Sequence, residues 1–190
     1  MFNQSWKKEV FTIPNVLSLF RLLLIPVYTS IYLNASDKLD YYLAGTVLGI
    51  SCLTDFADGK IARECHMVSN LGKLLDPLAD KLTQLVLILS LSRVHRILYP
   101  VLILFLIKET FQCVSLLIFA QHGKALPGAL LSGKICTTVL FTTLLLLVVA
   151  PQLNTYSVWL LVCADTVSLL FAFGAYVQAY YGRNKKLTDL

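Results

Sequence analysis

Four aspartates stand in two pairs between residues 55 and 80: Asp55 and Asp58, three apart, then Asp76 and Asp80, four apart. On a helix each spacing puts both carboxylates of a pair on one face. Gly59 and Ala62 share the face of the first pair, and Gly72 precedes the second pair on its own face. Small residues there let a neighbouring helix or a ligand come close to the backbone. If the two segments form a hairpin, the four carboxylates converge. Clustered carboxylates repel one another and do not all stay ionised without a counter-charge. An all-oxygen set, with no His or Cys in it, suits Mg2+ or Mn2+ rather than zinc. Two such ions about 3.5–4 Å apart would clamp the attacking and leaving oxygens of a phosphoryl displacement. The pattern therefore points to metal-assisted transfer at a pyrophosphate. The plainer alternative pairs the aspartates with Lys60, Arg63, Lys73 and Lys81 as snorkelling surface charges.

The elements that position these residues are membrane helices. The chain has 190 residues, 57% of them hydrophobic and 14% charged, with a mean hydropathy of +0.71. A soluble domain of this size is about half apolar and about a quarter charged. The excess lies in long runs, so the expected fold is an all-α integral membrane protein with six transmembrane helices. These cover residues 15–33, 40–63, 71–92, 98–120, 129–150 and 155–181 of a single membrane domain spanning 1–190. The breaks between them, "NASDK", "ECHMVSN", "RVHR", "QHGKALPG" and "PQLNT", carry turn-forming or polar residues. The second and third spans are the least apolar, because they hold the aspartates. Residues 1–13 set Phe2, Trp6, Val10 and Phe11 at helical spacing among charged residues, which predicts a short amphipathic interfacial helix.

Charge orients the chain. With six spans both termini share a side, and Lys7, Lys8, Lys60, Arg63, Lys73, Lys124, Arg183, Lys185 and Lys186 fall on it. The positive-inside bias makes that side cytoplasmic, against Lys38, Arg93 and Arg96 on the other. The aspartates then lie at the cytoplasmic ends of spans two and three. No basic run is dense enough for nucleic acid. The first apolar run carries Arg21 and lacks a small-residue cleavage site, so it reads as a retained helix rather than a signal peptide. The cysteines at 52, 65, 113, 136 and 163 form no CxxC pair and are expected as small buried side chains. Tyr99, Tyr156 and Trp6 are expected as interface anchors.

Asp55, Asp58, Gly59, Ala62, Arg63, Gly72, Asp76 and Asp80 together spell D-x2-D-G-x2-A-R-x8-G-x3-D-x3-D. This resembles the CDP-alcohol phosphotransferases, matching all eight fixed positions of their signature. The resemblance implies a CDP-linked lipid, typically CDP-diacylglycerol, whose pyrophosphate sits on two metal ions while an alcohol attacks and CMP leaves. It implies metal binding by Asp55, Asp58 and Asp76, with Asp58 near both ions. Asp80 would be the general base and a further metal contact. Asp55, Asp58, Gly59, Ala62, Arg63 and Gly72 would border the nucleotide. A homodimer in the cell membrane, with its site facing the cytoplasm, is implied as well.

The segments "IPNVLSLFRLLLIP" (13–26), "GKLLDPLADK" (72–81) and "SGKICTT" (132–138) are similar to those of phosphatidylglycerophosphate synthases. They imply glycerol 3-phosphate as the acceptor, or another small alcohol. Lys108–Glu109 departs from the Arg-Glu usual there, and Lys does not offer the same bidentate fork to a phosphate. A cardiolipin synthase using CDP-diacylglycerol and phosphatidylglycerol is the near alternative, and a cation transporter is the alternative from another class. Ionisable groups inside a membrane are functional candidates by default. Arg21, Lys108 and Lys134 are thus candidates for an acceptor-phosphate pocket, set against an internal Lys108 pair with Glu109 or Asp165 and a snorkelling Lys134. Asp165 belongs to no motif and is expected in a structural or interface role.

Overall fold

The computed structural model describes residues 13–64, 72–121 and 130–188, with side chains over 15–54, 76–118 and 130–181. Among the described residues there are six α-helices and no strand. They are α1 (Ile13–Leu33), α2 (Lys38–Glu64), α3 (Gly72–Val94), α4 (Tyr99–Gln121), α5 (Leu131–Val149) and α6 (Thr155–Thr188). A 3-10 turn, Arg96–Leu98, fills the break between α3 and α4. α6 runs on to Thr188, past the expected end of the last span. The interfacial helix expected before α1 lies outside the described residues. Among the described residues four stretches are long and apolar enough to cross a bilayer: Asn15–Leu33, Arg96–Ile118, Leu131–Val149 and Thr155–Tyr181.

Several hydroxyl and capping groups are satisfied within their own helices, which suits an apolar surround. The hydroxyls of Thr29, Thr46, Thr83, Thr142 and Thr166 each donate to the carbonyl four residues back. Asp40 caps the start of α2, its Oδ2 accepting the backbone N–H groups of Ser36 and Asp37 at 2.9 and 3.2 Å. Asn154 accepts the N–H of Tyr156 at the start of α6. Pro26 and Pro77 lie inside α1 and α3, where each frees a carbonyl one turn earlier.

The chain divides into two compact units, residues 1–90 with 148–151, and residues 91–147 with 152–190. In the first, α1 and α2 run antiparallel, while α3 runs parallel to α1. Leu24 and Ile25 of α1, Leu48 and Ser51 of α2, and Thr83 and Leu87 of α3 meet around a cavity of about 10 Å³. In the second unit, one stripe of α6 is buried at steps of three and four: Val158, Val162, Asp165, Leu169, Ala172, Tyr176 and Tyr180. Phe111 of α4 packs edge-on against Phe173 and Tyr180 of α6.

Burial departs from that of a water-soluble protein at both ends of the polarity scale. Arg21, Gln84, Lys108 and Asp165 are buried, while Leu23, Leu53, Ile103, Leu160, Val167 and Phe171 are exposed. Apolar side chains facing lipid cost nothing, so the helices turn their polar residues inward. The same physics corrects the cysteine expectation. Cys136 is buried, but Cys52, Cys113 and Cys163 are exposed on helix faces, and Cys65 lies outside the described residues. A thiol behaves as a small hydrophobe and needs no protein interior when lipid is outside.

Candidate functional site

Ser18 and Arg21 stand three apart on α1, and Asp76 and Asp80 four apart on α3. Because the helices run parallel, the two pairs meet level by level. Ser18 Oγ donates a short hydrogen bond to Asp76 Oδ1. Arg21 Nη1 donates to Asp80 Oδ1 at 2.6 Å, and its Nη2 lies 3.9 Å from Asp76 Oδ1. The guanidinium is 3% exposed, whereas the Asp76 and Asp80 side chains are 42% and 47% exposed. A buried cation is tolerable only beside opposite charge. Two carboxylates supply it here, each held from one side and open on the other.

α2 brings the first aspartate pair back toward the same end of this unit. Ser51 faces Leu24 and Ile25 across the small cavity, and Asp55 and Asp58 follow one and two turns further along an antiparallel helix. That register puts their turn at the level of Arg21 and Ser18. The side chains of Asp55, Asp58, Gly59, Ala62, Arg63 and Gly72 lie outside the described residues, and so does the meeting of all four carboxylates. Among the described residues no three acidic, histidine or cysteine side chains gather as a metal site.

The other candidates belong to the second unit. Lys108 is buried, and its Nζ lies 2.6 Å from Glu109 Oε1 and 5.7 Å from the centre of the Tyr176 ring. Ion pair and ring face together keep an ammonium charge inside a helical bundle. The Tyr176 hydroxyl presses on Gly133, where an added Cβ would collide with it. Lys134, the next residue, is exposed and has no ion pair among the described residues. Asp165 is fully buried, and both its oxygens lack a hydrogen bond of good geometry, with the Thr143 hydroxyl beside them.

The structure thus joins Arg21 to the aspartates and Lys108 to Glu109, and leaves Lys134 facing outward. Ser18 and Tyr176 were not anticipated. Ser18 is legible afterwards, since it shares a face with Arg21 at the spacing that matches the carboxylates. Tyr176 is one aromatic among many in an apolar run and carries no such signal.

Chemically, the first unit offers two half-open carboxylates with fixed orientation, able to take a proton or to serve as hard oxygen ligands. A family model described as CDP-alcohol phosphatidyltransferase matches residues 11–173, a range that takes in Ser18, Arg21, Asp76 and Asp80. The chain is 35% identical over 148 residues to a CDP-diacylglycerol–glycerol-3-phosphate 3-phosphatidyltransferase of Aquifex aeolicus, covering 77% of this chain and 79% of that one. A Bacillus subtilis protein of the same name is 35% identical over 141 residues, covering 67% of this chain and 72% of that one. A cardiolipin synthase (CMP-forming) of Streptomyces coelicolor is 33% identical over 132 residues, or 68% of this chain. The match spans 61% of the Streptomyces protein's length.

Proposed function

The chain belongs to the CDP-alcohol phosphatidyltransferase family, and from that premise we propose that it transfers a phosphatidyl group from CDP-diacylglycerol to glycerol 3-phosphate. The products are phosphatidylglycerophosphate and CMP. The observation that carries the reading is the Asp76–Asp80 pair. These are the last two members of a complete eight-residue signature, held from α1 by Ser18 and Arg21 yet open over nearly half their surface.

The donor set fits a hard divalent cation, since it is all oxygen, partly open and one helical turn apart. Asp55, Asp58 and Asp76, with Asp80 at the edge, would hold one or two Mg2+ or Mn2+ ions. Bound there, the metal supplies neutralising charge for a pyrophosphate. Asp80 removes the proton of the acceptor hydroxyl. The freed oxygen attacks the phosphorus that carries the diacylglycerol, the bond to the bridging oxygen breaks, and CMP leaves. Arg21 fixes the direction of the Asp80 carboxylate. Gly59, Ala62, Arg63 and Gly72 border the nucleotide. Lys134 meets the acceptor's phosphate, and Arg21 and Lys108 join only by exchanging a carboxylate for it.

In this reading all six helices span a cell membrane, both termini and the aspartate end are cytoplasmic, and the protein is a homodimer. The resemblance of the Streptomyces cardiolipin synthase favours a second acceptor, phosphatidylglycerol, at the same site. The cation-transporter alternative is dropped, because the family match accounts for the same aspartates. Purified protein given labelled CDP-diacylglycerol and a panel of acceptors decides between the two lipid products. Glycerol 3-phosphate should give the largest CMP release. Release with phosphatidylglycerol alone would replace the substrate assignment.

A further inference from the structure

The second unit carries a separate cavity of mixed lining at the end where α4 and α6 begin. It has a volume of about 210 Å³ and is lined by His95, Arg96, Ile97, Leu153, Thr155, Val158 and Trp159. This is smaller than the roughly 300–1,000 Å³ of pockets that enclose drug-sized ligands. It suits a headgroup rather than a whole molecule.

Its chemistry is one-sided. Arg96 lines the cavity and Arg93 stands three residues before it in the chain; both are exposed, and among the described residues neither has an acidic partner. The first turn of α6 carries no acidic residue. Burial holds the His95 imidazole below its usual range, so at neutral pH it serves as an uncharged hydrogen-bonding group while the arginines supply the charge. The surround is that of a membrane–water boundary. Tyr99, Tyr156 and Trp159 are exposed at the same helix starts, where amphipathic rings sit at headgroup level. Lining by Ile97, Val158 and Trp159 gives the cavity an apolar wall beside its cation.

We propose that this cavity binds the phosphate headgroup of an anionic membrane lipid, with Arg96 and Arg93 as the charge contacts and Trp159 against the upper acyl chains. A lipid is favoured over a soluble anion because four of the seven lining residues are apolar and Trp159 among them is exposed. The site is distinct from the aspartates, which lie at the start of α3 while Arg93 lies in its last turn. The proposal is independent of the acceptor's identity.

The chain has two tryptophans, Trp6 and Trp159, so a Trp6→Phe protein reports on this cavity alone. In nanodiscs of phosphatidylcholine, a minor fraction of brominated phosphatidylglycerol should quench Trp159 more than the same fraction of brominated phosphatidylcholine. The expected preference is up to about fivefold for each arginine. Arg93→Gln with Arg96→Gln should bring the ratio to about one, with CMP release retained as the check on folding. Equal quenching by the two lipids in the unsubstituted cavity would overturn the proposal, as would a preference that survives the double substitution. Inorganic phosphate, compared with chloride at equal ionic strength, is the second probe. Loss of the lipid preference with phosphate alone would mark a soluble-anion site and contradict the lipid assignment.

Discussion

Arg21 Nη1 meets Asp80 Oδ1 at 2.6 Å across 59 residues of sequence, joining the first helix to the last aspartate of the signature. The second arm of the same guanidinium reaches toward Asp76, which Ser18 also holds. A planar fork can serve two carboxylates at once, whereas an ammonium serves as a point charge. Arg21→Lys should therefore keep the charge and lose the shared geometry. The expected result is a fall in kcat of about tenfold, equivalent to about 1.4 kcal/mol in the barrier. Arg21→Ala should fall further and also lower the thermal midpoint, because Asp76 and Asp80 then face each other without a cation. Steady-state rates and melting curves of both variants check this. A lysine variant with the original kcat would assign Arg21 to charge balance alone.

Base and ligand separate by binding. Asp58→Asn should lose metal-dependent retention of CDP-diacylglycerol together with turnover. Asp80→Asn should lose turnover while keeping much of that retention, since its main task is the acceptor's proton. Equal loss of retention in the two variants would make Asp80 chiefly a ligand.

Gly133 is a packing constraint. A methyl added there meets the Tyr176 ring and hydroxyl, and that ring faces Lys108. Overpacking costs about 1–3 kcal/mol, more than the roughly 0.5–1 kcal/mol a helix gains from Gly→Ala. Gly133→Ala should lower the melting temperature. Gly174→Ala, where nothing lies within 4 Å of the new methyl, should hold or raise it. Matched melting curves in detergent give the comparison.

Lys134 is an exposed cation at the start of α5. Lys134→Ala should raise the KM for glycerol 3-phosphate about ten- to a hundredfold, the worth of a charge-assisted hydrogen bond of roughly 1.5–3 kcal/mol. Its effect on CDP-diacylglycerol should be smaller. Acceptor and donor titrations of the one variant separate these, and an unchanged acceptor KM removes Lys134 from the pocket.

The helices and the aspartate signature were legible because each rests on local sequence. Apolar runs of bilayer length, broken at "NASDK", "RVHR" and "PQLNT", mark α1, α4, α5 and α6 without knowledge of packing, and the less apolar α2 and α3 carry the aspartates between them. The 3-10 turn at Arg96–Leu98 was not legible, because the break reads as loop whatever its geometry. Nor was the partner of Arg21. An arginine in an apolar run announces that it needs an anion, but parallel packing of α1 on α3 decides that the anions are Asp76 and Asp80. Lys108 had two carboxylates to choose between by sequence, and adjacency on α4 favours Glu109. The exposed cysteines misled for a simpler reason. Rules for burial assume water outside, and these helices display Cys52, Cys113 and Cys163 where lipid would be.

The decisive measurement is metal- and acceptor-dependent CMP release from CDP-diacylglycerol by the purified protein. Release should cease after chelation, recover with either Mg2+ or Mn2+, and then require glycerol 3-phosphate and yield phosphatidylglycerophosphate. Full release in thoroughly metal-free buffer, or indifference to glycerol 3-phosphate in the metal-loaded protein, would contradict the proposed transfer.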